Sequence, residues 1–159
     1  MEMDMQMDTD MTMTDLALIG NPNSGKTTLF NILTGTNQHV GNWPGVTIDR
    51  KSGKLKHDDS YNVQDLPGIY SLSPYSSEEI ITRNYLLQSH PDQVIDVVDA
   101  TNLERNLYLT LQVMETGTPL IISLNMMDLL KKQGNRSINL KKLSYMLGVP
   151  VVSISALRK

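Results

Sequence analysis

The chain has 159 residues, 40% of them hydrophobic and 19% charged, with 14 Lys+Arg against 17 Asp+Glu and a net charge of −3. That length suits one domain with a sizeable core, and the slight acidity argues against a nucleic-acid binder, which carries a basic face. With no Cys there is neither a disulfide framework nor a thiolate metal site, and the longest apolar stretches, Val94–Val98 and Leu120–Leu124, fall far short of the roughly 20 residues that span a bilayer as a helix.

Residues 1–14 alternate Met with acidic or polar residues. Thioethers in such a run could suit a soft cation, but the stretch is too polar to bury and reads as a disordered leader. The folded domain is expected over residues 15–159. Leu16–Ile19 is a short apolar run suited to a buried strand, ended by Gly20. Leu29, Ile32 and Leu33 then fall at helical spacing over residues 26–35, with Gly35 as the stop. Val46–His57 and Ser60–Leu66 read as two strands joined at Asp58-Asp59. Residues 77–89 look helical through Ile81 and Tyr85, and Gln93–Asp99 is a second buried strand. Leu103, Leu107, Leu111 and Met114 mark one helix face, closed by Gly117 and Pro119. A strand over Pro119–Asn125, an amphipathic helix over Asn139–Leu147 and a last strand over Val149–Ser153 complete the pattern.

Strands alternating with helices imply an α/β fold: a mainly parallel six-stranded sheet, one antiparallel edge strand, and helices on both faces. Such a sheet places ligands at the carboxyl ends of its strands, and the chemical motifs fall there. Gly20-Asn21-Pro22-Asn23-Ser24-Gly25-Lys26-Thr27 fits G-x-x-x-x-G-K-[ST] between a strand and a helix. Its glycines allow backbone N–H groups to converge on phosphate, and the helix adds the positive end of its dipole. Lys26 is placed for the β- and γ-phosphates and the Thr27 hydroxyl for Mg²⁺, with Thr28 beside it. Asp65-Leu66-Pro67-Gly68 ends the hairpin's second strand; Asp65 is a Mg²⁺ carboxylate and the Gly68 N–H a reporter on the γ-phosphate. Asn125-Met126-Met127-Asp128 closes another strand, and the Asp128 carboxylate suits the donor pair of guanine, which adenine lacks. Ser155-Ala156 follows the last strand, where a backbone N–H could meet the guanine O6.

Together these motifs resemble the small GTPase superfamily with its P-loop fold. The run Asn37–Thr47 with Asn42-Trp43-Pro44-Gly45-Val46-Thr47, the loop Gly20–Thr28, Asp65–Ser71 and Val97–Leu107 are similar, more narrowly, to the N-terminal GTPase domain of the bacterial ferrous-iron transport protein B (FeoB) family. The resemblance implies a GTPase on the cytoplasmic face of the bacterial cell membrane that regulates or drives ferrous-iron uptake. Thr47 is then the switch threonine that meets Mg²⁺ in the GTP state, and Asn23 helps hold an activating K⁺. The last helix of the fold, a helical domain and a membrane-spanning region would follow Lys159, and a second copy of the chain is a further candidate partner. Met126 stands where a Lys is common, and Ile69 where many GTPases carry a water-orienting Gln, which implies slow turnover. His39, His57 and His90 are scattered and suggest no metal cage. The rivals are a cation-dependent GTPase of the ribosome- or tRNA-modifying (Era- and TrmE-like) kind and a nucleotide-binding module without turnover.

Overall fold

The structure is a computed structural model that describes residues 13–155. Nearly all of the expected leader, and Ala156, lie outside those residues. In chain order the elements are β1 (Thr14–Gly20), α1 (Lys26–Thr34), β2 (Gln38–Asn42), β3 (Asp49–Leu55), β4 (Asp58–Asp65), α2 (Ser77–Asn84), β5 (Gln93–Asp99), α3 (Leu103–Glu115), β6 (Leu120–Asn125), α4 (Met127–Lys132), α5 (Leu140–Leu147) and β7 (Val151–Ser153). A π-helical turn, Tyr85–Ser89, prolongs α2.

The strands form one sheet in the order β2-β3-β4-β1-β5-β6-β7. Strands β4, β1, β5, β6 and β7 run parallel, while β3 is antiparallel to both β2 and β4. The sheet therefore has seven strands where the sequence predicts six. The added strand is the edge strand β2, whose sequence Gln-His-Val-Gly-Asn leaves four of five residues exposed. It buries no apolar side, so backbone pairing to β3 holds it and no alternation of apolar residues announces it. The β3–β4 turn lies at Lys56-His57 rather than at Asp58-Asp59.

Successive residues of a strand face opposite sides, and β1 divides the core accordingly. Leu18 packs with Phe30 of α1 and Val63 of β4 on one face. Ala17 and Ile19 join Leu109 and Val113 of α3 on the other. A third cluster gathers Val98, Ile122 and Leu124 with Leu130 of α4, and Leu140 and Leu147 of α5 pack against it. Helix starts follow their capping residues: the Ser76 side chain accepts from the Glu79 N–H, and that of Asn139 from the Lys142 N–H. A carboxyl group is sealed among these side chains. Asp96 on β5 is 1% exposed and accepts a hydrogen bond from the Thr110 hydroxyl of α3. Burial pushes its carboxyl up to about 7, with the Thr110 bond opposing.

A nucleotide-shaped site at the strand ends

The phosphate loop begins where β1 meets Gly20. A Cβ at Gly20 would lie 2.7 Å from the Val97 carbonyl oxygen and 2.8 Å from Ser24 Oγ, so only glycine allows the loop to turn back against β5. Asn23 (φ 65°) and Gly25 (φ 95°) take left-handed backbone conformations, which Asn and Gly tolerate best. The Ser24 N–H donates to the Asn21 carbonyl at 3.2 Å. Helix α1 starts directly after Gly25, so its unpaired first-turn N–H groups face the loop's concavity.

That concavity is a cavity of about 340 Å³ lined by Asn21, Pro22, Asn23, Gly25, Lys26, Thr27, Thr28 and Gly68. Asn23, Gly25 and Thr28 also line a second cavity of about 270 Å³, walled by Asn125, Met126, Asp128, Leu129 and Ser155. The two hollows thus share a rim. The Asn125 amide donates to the Ser24 carbonyl at 3.0 Å, tying the end of β6 to the phosphate loop across 101 positions of sequence. The Met126 N–H donates to Asn125 Oδ1 at 2.9 Å, and Met126 at φ 65° turns the chain into α4, which carries Asp128 in its first turn.

Lys26 and Asp65 form a buried ion pair, each 7% exposed, so neither charge is left uncompensated in the interior. Gly68 comes close to the phosphate loop: a Cβ there would meet Pro22 Cα and N at 3.2 Å. The Ile69 N–H donates to the Gly20 carbonyl at 3.1 Å, and its side chain is 3% exposed, in the core. Thr47 is different. It is exposed and lines neither cavity.

The residues present fit a nucleotide and its cations chemically. The Asn21 amide atoms and Ser24 Oγ are buried without a hydrogen-bond partner, an arrangement that costs free energy unless something completes it. Among the described residues no three His, Cys, Asp or Glu side chains gather into a metal cage. Thr27 and Asp65 supply only hard oxygen donors, as suits a Mg²⁺ that takes its remaining ligands from phosphate and water.

Sequence reasoning missed Pro22 and Leu129 as wall residues, although both lie inside or beside the motifs. It also missed a smaller recess of about 170 Å³ behind the loop, where Asn21, Pro22 and Asn23 meet Tyr70, Asp99, Asn102, Arg105 and Asn106. There the Arg105 guanidinium stacks 4.1 Å over the Tyr70 ring. No local pattern marks such a meeting of three separate segments.

Comparison with known proteins agrees with this geometry. The family model described as ferrous iron transport protein B matches residues 14–159. The Fe(2+) transporter FeoB of Escherichia coli K12 is 53% identical over 148 residues, which is 90% of this chain and 19% of that protein. A GDP-bound point variant of the S. thermophilus NFeoB superposes with a TM-score of 0.89 at 63% identity, over 92% of this chain and 57% of that one. The S. thermophilus NFeoB bound to GDP·AlF4⁻ and K⁺ has a TM-score of 0.81 at 64% identity, over 92% and 57%. The chain spans less than a fifth of the length of the curated relatives it matches. With a family model covering almost every residue and relatives above half identity, the chain belongs to the ferrous iron transport protein B family, as its N-terminal GTPase-type G domain.

Proposed function

We propose that this domain binds GTP with Mg²⁺ and hydrolyses it, on the cytoplasmic face of the bacterial cell membrane, to regulate or drive ferrous-iron uptake by the rest of a FeoB polypeptide. One observation carries the reading: a phosphate-sized hollow holding Lys26 and a second hollow walled by Asp128 share a rim at Asn23, Gly25 and Thr28. A guanosine triphosphate has that two-part shape. Family membership disfavours the ribosome- or tRNA-modifying rival.

In this reading the loop N–H groups and the first turn of α1 hold the phosphates. Lys26 turns from Asp65 toward the β- and γ-oxygens, and Asp128 accepts from the guanine N1–H and exocyclic amine. The backbone around Ser155-Ala156 meets O6. Thr27 and Asp65, joined by Thr47, would hold Mg²⁺, which when bound offsets charge on the β- and γ-oxygens. Gly68 lines the same hollow as Lys26, and in this reading its N–H registers the third phosphate. The Ile69 side chain is buried and aliphatic, so it orients no water, and turnover is slow.

The S. thermophilus relative has been captured with GDP·AlF4⁻ and K⁺, and Asn23 supplies an amide oxygen on the shared rim. A K⁺ there would neutralise transition-state charge where other GTPases use an arginine. The test is GTP hydrolysis in KCl against NaCl, for wild type and Asn23→Ala. K⁺ stimulation in wild type, erased in Asn23→Ala with GDP affinity retained, is the expected result. A variant that K⁺ stimulates as strongly as wild type removes the Asn23 assignment, and no hydrolysis in either salt leaves a binding module without turnover.

A further inference from the structure

The segment between α1 and β3 is pinned in an unusual way. After the exposed strand β2, Trp43 drops into the core at 8% exposure. Its ring meets Tyr85 edge-on, with centroids 6.0 Å apart and planes at 80°, and the exposed Arg50 guanidinium covers it at 4.6 Å. Trp43 belongs to the same buried cluster as Leu66, Ile69 and Leu72, the stretch that follows Asp65. The indole therefore joins the loop between β2 and β3 to the core beneath the stretch that follows Asp65.

The backbone of Trp43 is committed as well. Its N–H donates to the Ile48 carbonyl at 3.0 Å, and its carbonyl accepts from the Val46 N–H at 3.2 Å. Pro44–Thr47 is thus a closed loop, turned by Gly45 at φ 77°, with Thr47 exposed at its far side. Those two bonds oppose any movement of Thr47 toward the phosphate hollow, and both belong to the residue whose side chain is anchored. The seat is good but incomplete: the indole Nε1 is buried with no partner, a standing penalty that makes release easier than for a fully satisfied ring.

We infer that Trp43 is a positioning residue for Thr47: its buried indole latches the Pro44–Thr47 loop with Thr47 turned to solvent, and its release accompanies loading of the triphosphate. This rests on the proposal that Thr47 meets Mg²⁺ when GTP is bound. The latch sets part of the discrimination between nucleotides, because a ligand that needs the released state binds more weakly by the fraction of molecules already released. GDP, which does not need Thr47, is indifferent to the latch.

Trp43 is the single tryptophan of the chain, so intrinsic fluorescence reads the latch in the unaltered protein. Emission and acrylamide quenching are measured for the free protein, with GDP, and with a non-hydrolysable GTP analogue and Mg²⁺, binding being followed by calorimetry in the same samples. The expected result is blue, shielded emission in the first two states, with a red shift and severalfold stronger quenching in the third. Emission that stays blue and shielded while the analogue is bound overturns the latch alone. A chain that binds neither nucleotide overturns the GTP reading and the latch with it. The second arm is Arg50→Gln, which removes the cation over the ring at an exposed position and leaves the core intact. It should tighten the analogue about twofold to fivefold, the worth of one such contact, and leave GDP unchanged; equal changes for both nucleotides, or weaker analogue binding, contradict the latch.

Discussion

The phosphate loop and the Trp43–Ile48 loop, the first switch of the proposed function, lie in one domain and are built on opposite plans. The phosphate loop is fixed by its own backbone and by the sheet. Gly20 is held against β5 by sterics, Asn23 and Gly25 supply the left-handed turns, and Asn125 ties the loop to β6. The Trp43–Ile48 loop is also held, but away from its proposed work, with Thr47 facing solvent. The difference is one of where the holding contacts lie. The phosphate loop's contacts are with the sheet: the Val97 carbonyl of β5 against Gly20 and the Asn125 amide of β6 on the Ser24 carbonyl. Those of the Trp43–Ile48 loop are the indole under the Arg50 guanidinium, two loop hydrogen bonds and the half-buried Val46 and Ile48 against the core, a set that a ligand able to recruit Thr47 competes with.

Three substitutions sharpen or break this contrast. Lys26→Ala should have the largest effect, weakening GTP by on the order of 100-fold or more, since a buried charge loses its partner. Calorimetry on a variant shown to be folded by circular dichroism checks this, because Asp65 is left unpaired as well. Unchanged affinity would mean that the preformed loop is not the phosphate site. Asp128→Asn comes next. Guanosine nucleotides should bind about 10- to 100-fold more weakly through loss of bonds to a charged acceptor, while xanthosine nucleotides gain, because the amide N–H can meet their 2-oxo group. Persisting preference for GTP would move base recognition away from α4. Thr47→Ala should be the mildest: GDP affinity nearly unaltered and hydrolysis lowered about tenfold, the scale on which a metal-site partner acts. Parallel loss of GDP and GTP binding would make Thr47 structural, and the two regions alike after all.

The phosphate loop was legible because each of its requirements is local: glycines where Cβ atoms would collide, a lysine and a threonine at the start of a helix, a strand before it. The placement of Asn125–Asp128 at a strand end beside the second hollow was legible for a related reason, as Asn125 ends an apolar run. Strand β2 was not, because Gln38–Asn42 buries nothing and its pairing is invisible to side-chain pattern. Helix α4 was missed because six residues are too few to show a helical period, and its start depends on the left-handed turn at Met126. The pairing of Lys26 with Asp65 was also out of reach. Both residues were identified, each with a role toward the ligand, but spacing along the chain does not reveal that two charges 39 positions apart satisfy one another in the interior.

The sealed carboxyl of Asp96 makes the stability of the sheet a function of proton activity. Its folded value of about 7 stands above the ordinary 3.8, so between those limits the native state keeps a proton that the unfolded chain releases. By linkage, stability is highest at the acidic end of that window, declines as pH rises from about 4 to about 7, and is level above it. The loss is at most on the order of 4 kcal/mol, with the Thr110 bond working against it. Asp96→Asn has no such proton to lose. Its urea midpoint should exceed that of wild type at pH 8, and the gap between pH 5 and pH 8 should shrink; an undiminished gap would trace the pH dependence to another group. Neither hollow is lined by Asp96 or Thr110, so a rise in pH from about 4 to about 7 weakens the scaffold beneath the site while the groups that line the site are left as they were.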